Sequence, residues 1–347
     1  MDWPWSEKRY SVNASTAPYK IAVLECTPAA QLQDTARTQL TPVTMVLAQA
    51  VYLPKECWYP SMRGILQNQA VVNGWYIERF VLFDHRNHAD SALLNSEQYS
   101  PYKSVDEVPE STKFCWFDAA RDLNCVIGSL NLCNQSGRRS KVVGMGGSMG
   151  AAILVLAEAM RPSTFDALVM LDPGCSPFTI LEVPDPTFRA AVFALHRKSK
   201  WPSKQAALEY INKNRFYLRW TQTARDLFVE YGTHVVKSAD GTETVELKTL
   251  PLQEAMAYIG GGMSSNAAFW FVQKQLALPK LMVHSKTSDF IPVEDGRELV
   301  RMCMNTTGAE IDKGGHLMAL NTPDEVAEVT SRFLTATFAA DSIKSQL

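Results

Sequence analysis

The sequence lacks the features that would send a chain to a membrane, a nucleic acid or an oxidising compartment. No run of about 18 uninterrupted apolar residues occurs. The longest apolar stretch, residues 149–160, carries Glu158, so no membrane span is expected. Neither sign of charge dominates: 34 basic and 36 acidic side chains leave a net charge of −2. That balance gives no basic footprint for nucleic acid or anionic lipid. The first ten residues, MDWPWSEKRY, contain no apolar core of a secretory signal. Seven cysteines (26, 57, 115, 125, 133, 175 and 303) are odd in number, scattered and without a CxxC pair. They read as reduced thiols of an intracellular protein. Histidine is scarce too, with six positions (85, 88, 196, 234, 284 and 316), which shortens any search for a catalytic base.

What is present is a large core. Hydrophobic residues make up 46% of the 347 and charged residues 20%, which excludes disorder for the bulk of the chain. Short apolar runs alternate with helical patterns, the signature of an α/β sheet. The expected strands are 19–26, 43–50, 79–84, 141–145, 167–172, 280–284 and 309–311. Runs such as Val43-Thr-Met-Val-Leu-Ala are apolar at nearly every position, as in strands covered on both faces. Helices are expected at 114–130 and 149–160. A final helix opens at Thr322-Pro323-Asp324-Glu325, where a hydroxyl at the N-cap and Glu at N3 spell a capping box. The rhythm breaks between residues 176 and 275, where helical faces and a hairpin around Ala239-Asp240-Gly241-Thr242 replace it. Residues 1–175 and 276–347 are therefore expected to form the core, with 176–275 inserted as a cap.

The strongest chemical signal is Gly146-Gly147-Ser148-Met149-Gly150, a G-x-S-x-G directly after a strand and opening a helix. A nucleophile elbow needs small neighbours so that strand and helix can approach around a strained serine. Gly144, Gly146, Gly150, Ala151 and Ala152 meet that need. A serine nucleophile also needs a base. His316, in Lys313-Gly314-Gly315-His316-Leu317, follows the last expected strand, where the order Ser…acid…His places it. Two carboxylates compete for the third role. Asp289 follows strand 280–284 and is preferred; Asp172, at the end of strand 167–172, is the alternative. His85 and His88 form an H-x-x-H beside Asp84 and Asp90, but no further ligand set accompanies them, so no metal is expected.

These residues resemble the α/β-hydrolase superfamily. Within it, the chain is similar to the fungal branch of peroxisomal lipase-like proteins and hydrolases of host-selective toxin biosynthesis. The branch-level resemblance rests on Asp84-His85-Arg86-Asn87-His88-Ala89-Asp90-Ser91, Phe117-Asp118-Ala119-Ala120-Arg121-Asp122, Lys55-Glu56-Cys57-Trp58 and the elbow and His316 motifs. It implies a mostly parallel sheet flanked by helices with a helical cap. It also implies an oxyanion hole from the backbone amides of Met149 and Val51. One departure stands out: Gln49-Ala50-Val51-Tyr52-Leu53 puts tyrosine where such enzymes carry glycine.

The resulting expectation is a serine hydrolase cleaving an ester or thioester of a small apolar metabolite. Tyr52, Trp201 and Trp220 are expected to contact the acyl substrate, and no cofactor is implied. The same triad would also suit acyl transfer or a ring-forming condensation, and the fold can serve as a non-catalytic binding protein. The terminal Ser345-Gln346-Leu347 is similar to a peroxisomal S-K-L address, which would make the peroxisomal import receptor a partner; otherwise the cytoplasm is expected.

Overall fold

The computed structural model describes residues 2–29, 40–69, 74–132, 140–175 and 189–344. Cys133, part of the expected cap and the terminal Ser345-Gln346-Leu347 lie outside the described residues. In chain order the strands are β1 (Trp5–Asn13), β2 (Lys20–Pro28), β3 (Thr41–Ala48), β4 (Trp75–Phe83), β5 (Lys141–Gly147) and β6 (Ala167–Leu171). After them come β7 (Lys200–Trp201), β8 (Thr233–Lys237), β9 (Glu243–Leu247), β10 (Lys280–Ser285) and β11 (Thr306–Ile311). Eight of them form one sheet in the order β1-β2-β4-β3-β5-β6-β10-β11. From β4 to β11 neighbours run parallel; β2 is antiparallel to β4 and β1 to β2. The expected mainly parallel sheet therefore forms, with β1 as an addition. That strand is mostly exposed along its length and carries no apolar run to announce it.

The helix Met149–Met160 has almost no polar face, and residues 149–158 are buried. It lies against β5 and is covered by the helices Trp116–Ser129 and Gly262–Lys274, which explains a helix apolar on all sides. Glu158 is accommodated because its carboxylate accepts the amides of Ser163, Thr164 and Phe165 at 2.8–3.0 Å. On the opposite face of the sheet the helices Tyr59–Gln69 and Pro323–Lys344 pack together. The expected capping box is not made: the Thr322 hydroxyl donates to the Met318 carbonyl at 3.3 Å instead. Pro323 and two acidic residues in the first turn still mark the start.

Between β6 and β10 the described residues form helices around a small antiparallel sheet, β7-β9-β8, with the hairpin where the turn residues place it. The last helix of this block, Gly262–Lys274, packs on the helix Met149–Met160.

The loop after β4 ties these layers together. Buried Asp84 accepts the Lys55 amide at 2.9 Å and its ammonium at 2.7 Å, and Lys55 also pairs with Asp90 at 2.6 Å. Arg86 forks onto Asp122 at 2.7 and 2.8 Å, and Asn87 donates to the Gln253 carbonyl at 3.0 Å. The H-x-x-H histidines are packing residues here. Burial pushes His85 down to about 4 despite its hydrogen bond to the Gln49 carbonyl. Burial, then the neighbouring His85, also pushes His88 well below its ordinary value.

A folded-state value below the unfolded one, about 6.5, means that the unfolded chain takes up the proton first as pH falls. The stability that neutral His85 contributes is thus complete above about pH 6.5 and lost progressively towards pH 4. Its share of the loss between pH 7 and 5 is about 2 kcal/mol. Urea unfolding of His85→Gln at both pH values should show a pH dependence weaker by about that amount than wild type. An unchanged dependence would mean that His85 is not held neutral.

Candidate active site

The elbow is built where β5 hands over to the helix Met149–Met160. Ser148 sits at φ 50° and ψ −119°, a region that residues with a side chain seldom occupy. Backbone bonds on both sides hold it there. Its N–H donates to the Leu171 carbonyl at 2.9 Å, and its own carbonyl accepts from Gly174 at 2.9 Å and Ala151 at 3.1 Å. The strain is thus fixed by the end of β6 as well as by β5.

Asp172 follows β6 directly and is also left-handed, at φ 43°. Its N–H donates to the Val283 carbonyl of β10 at 2.8 Å, and its side chain is completely buried. Oδ2 of Asp172 is 2.9 Å from His316 Nδ1 and also accepts the Ser288 hydroxyl. Burial by itself would raise this carboxyl, but the neighbouring His284 and His316 rings and the Ser288 hydroxyl hold it below the usual carboxylate range. The group next to the imidazole is therefore a carboxylate.

Asp289, the preferred acid in the sequence reading, is not the partner that the structure gives His316. Both its oxygens lie 3.0 Å from Arg219 Nη1, and its side chain is 66% exposed. The cause is the turn after β10. The Ser288 hydroxyl accepts the amides of Phe290 and Ile291 at 3.3 and 3.2 Å, which folds Ser288 inward onto Asp172. The next side chain, Asp289, then projects to the rim, and Phe290 stacks on the His316 ring with centroids 4.5 Å apart. Ser288 and Phe290 had no signal in the sequence beyond their place after a strand.

His316 stands on a loop secured by Asn321, which donates to the Gly314 carbonyl at 2.6 Å, and by Thr287, which accepts the Gly315 amide at 3.3 Å. Ser148 and His316 line one cavity of about 360 Å³, together with Ala50, Val51, Tyr52, Phe216, Trp220, Tyr258, Phe290 and Leu317. Arg215, Arg219, Asp289 and Asn321 supply its polar lining. Among the described residues neither the Val51 nor the Met149 amide donates to a protein carbonyl, so both remain available to an oxyanion.

Tyr52 explains its own departure from glycine. At φ 81° it keeps the backbone shape that glycine adopts readily, at a cost of about 1–3 kcal/mol. Its side chain is pinned by a 2.8 Å bond to the Tyr217 hydroxyl, by the Phe228 ring at 4.8 Å and by the Arg197 guanidinium 4.2 Å over its face. Of the three expected substrate contacts, Tyr52 and Trp220 face the cavity. Trp201 does not: it is 2% exposed and packs in the interior beside Tyr210.

Comparison with known proteins agrees with this layout. The sequence matches the alpha/beta hydrolase family over residues 47–329. Peroxisomal membrane protein LPX1 of Saccharomyces cerevisiae is 27% identical over 148 residues, which is 42% of this chain and 34% of that one. The alignment thus spans about a third of the curated relative's length. The crystal structure of peroxisomal alpha-beta-hydrolase Lpx1 from the same yeast superposes with a TM-score of 0.76 at 17% identity, over 97% of this chain and 90% of that chain. A thermophilic esterase from Thermogutta terrifontis gives 0.62 at 16% identity, covering 95% and 99%. A thioesterase domain from the curacin biosynthetic pathway gives 0.61 at 12% identity, covering 93% and 99%. With more than three quarters of its length matched, and the elbow seated between β5 and its helix, the chain belongs to the alpha/beta hydrolase family.

Proposed function

We propose that the protein is a serine hydrolase that cleaves a carboxylic ester or thioester of a small, fairly apolar metabolite through Ser148, His316 and Asp172. The observation that carries this reading is the 2.9 Å contact between His316 Nδ1 and the buried Asp172 carboxylate, beside Ser148 in the same cavity. Asp172 fixes the tautomer with the proton on Nδ1, leaving Nε2 as the base. The Ser148 hydroxyl loses its proton to Nε2 as its oxygen bonds to the substrate carbonyl carbon. The Met149 and Val51 amides hold the resulting oxyanion. When the tetrahedral adduct collapses, the bond to the leaving oxygen or sulfur breaks and the imidazolium returns the proton to it. A water, deprotonated in turn by His316, then releases the acid and frees Ser148.

The cavity supports a small acyl group: about 360 Å³ is near the lower end for small-molecule pockets, and its walls are mainly apolar and aromatic. The block between β6 and β10 supplies Phe216, Trp220 and Tyr258 to those walls, which supports its reading as a cap. A peroxisomal location is part of the proposal, supported by the names of the yeast relative and its structure, and is tested by imaging a tagged full-length chain.

Intact-mass analysis after exposure to a fluorophosphonate tests the chemistry. One adduct is expected on wild type, none on Ser148→Ala, and labelling about 10³-fold slower or worse on His316→Ala. A folded wild-type protein that takes no adduct would overturn the hydrolase reading in favour of a binding role. A panel of short ester and thioester substrates, with products identified, then separates hydrolysis from transfer to a second acceptor.

A further inference from the structure

The two oxygens of the Asp172 carboxylate are treated unequally. Oδ2 takes two donors, His316 and Ser288, whereas Oδ1 is buried and takes no hydrogen bond. The atom nearest to it among the ionisable partners is Nδ1 of His284, 3.5 Å away. His284 is itself 2% exposed, and among the described residues neither of its ring nitrogens has a hydrogen-bond partner. An unpartnered buried acceptor thus faces an unpartnered buried donor across a gap a few tenths of an ångström too long. Buried polar atoms without partners are rare enough that each calls for an explanation, and here each supplies the other's.

The backbone makes the encounter obligatory. Asp172 N–H bonds to the Val283 carbonyl, so the residue after it on β10, His284, is brought beside the carboxylate. The ring is accommodated by Gly296 of the helix Val293–Met302, which packs close against it. A Cβ at Gly296 would lie 2.4 Å from His284 Cγ and Nδ1, so that helix reaches the ring only as glycine.

We propose that His284 is a positioning residue for the triad acid, its Nδ1–H donating to Asp172 Oδ1 so that the carboxylate is gripped by an imidazole on each oxygen. The inference rests on the reading of Asp172 as the acid of a working triad. Its physical sense lies in the Cβ–Cγ torsion of aspartate, which is broad and weakly restrained. Donors on Oδ2 alone leave the carboxylate free to swing as charge builds on His316. A donor on Oδ1 closes the second end and keeps Oδ2 aimed at Nδ1 throughout the proton transfer. His284 touches no reacting atom.

Two measurements test this. The first needs no catalysis: in nitrogen-15 histidine spectra of the folded wild-type protein, His284 should carry a proton on Nδ1. A ring that carries its proton on Nε2 alone would overturn the proposal. The second is the rate of fluorophosphonate labelling. His284→Phe fills the space without a donor and should slow labelling about tenfold. His284→Asn places an amide N–H near the position of Nδ1 and should recover to within about threefold of wild type. A phenylalanine variant that labels at the wild-type rate, or an asparagine variant as slow as phenylalanine, would show that the ring only packs. Thermal melts of both variants identify any loss that is merely unfolding. Failure of the triad reading has a different signature, since wild type itself would then stay unlabelled while the tautomer measurement still decides the contact.

Discussion

Replacing Asp172 with asparagine should lower the rate of fluorophosphonate labelling and of ester cleavage by about 10³–10⁴-fold, while Asp289→Asn should stay within about twofold of wild type. The sizes differ because the two carboxylates do different work. An amide at position 172 is uncharged and can turn its NH₂ towards His316, which then holds its own proton on Nε2, where the base is needed. The charge that would stabilise the imidazolium also disappears, in a site where burial leaves little water to replace it. Asp289, by contrast, lies at the rim against Arg219, with both side chains more than half exposed. Such ion pairs contribute roughly 0–1 kcal/mol, and this one is too far from the imidazole nitrogen to orient it. The pair of variants is decisive. Equal losses, or a larger loss at Asp289, would return the acid to the end of β10 and remove the 2.9 Å contact from the mechanism.

That pair also marks where sequence reasoning stopped. The strand pattern, the elbow and the histidine loop could be read because each depends on local composition: apolar runs, small residues around one serine, glycines before one histidine. The carboxylate that meets His316 could not, because β6 and β10 are neighbours in the sheet and each is followed by an aspartate. Which carboxylate faces inward depends on one turn, closed when the Ser288 hydroxyl takes the amides of Phe290 and Ile291. Serine after a strand is too common a signal to reveal such a turn. The aromatic residues fail for a related reason. Trp201 and Trp220 look alike in a helical, aromatic stretch, yet Trp220 packs on Phe216 and Tyr217 at the cavity while Trp201 pairs with Tyr210 inside. Tyr52 was legible as an anomaly but not as a solution. Its left-handed backbone is tolerable because Tyr217 and Phe228, about 165 and 176 residues further on, hold the ring.

The glycines of the elbow allow the sharpest test of stability, because they are not equivalent. A Cβ at Gly150 would stand 2.1 Å from the Ala48 carbonyl oxygen and 2.7 Å from that of Gln49. Both obstacles are backbone, so β3 or the helix must move. At Gly147 the nearest atom would be 3.9 Å away, the Leu171 carbonyl oxygen, which is ordinary contact. Gly150→Ala gains up to about 1 kcal/mol of helix propensity, but overpacking against main chain costs about 3 kcal/mol or more, so the clash wins. We expect its melting temperature to fall by roughly 3 °C or more. Gly147→Ala should change stability by less than about 1 kcal/mol, with reduced freedom of the unfolded chain working in its favour. Activity should follow the same order. The strand that Gly150→Ala displaces runs on through Gln49 and Ala50 to Val51, whose amide is the proposed oxyanion donor, and losing one such donor costs about 10²–10³ in rate. A Gly150→Ala protein as stable as wild type would mean that β3 and the elbow helix are not in the close contact described, and the oxyanion assignment for Val51 would fall with it.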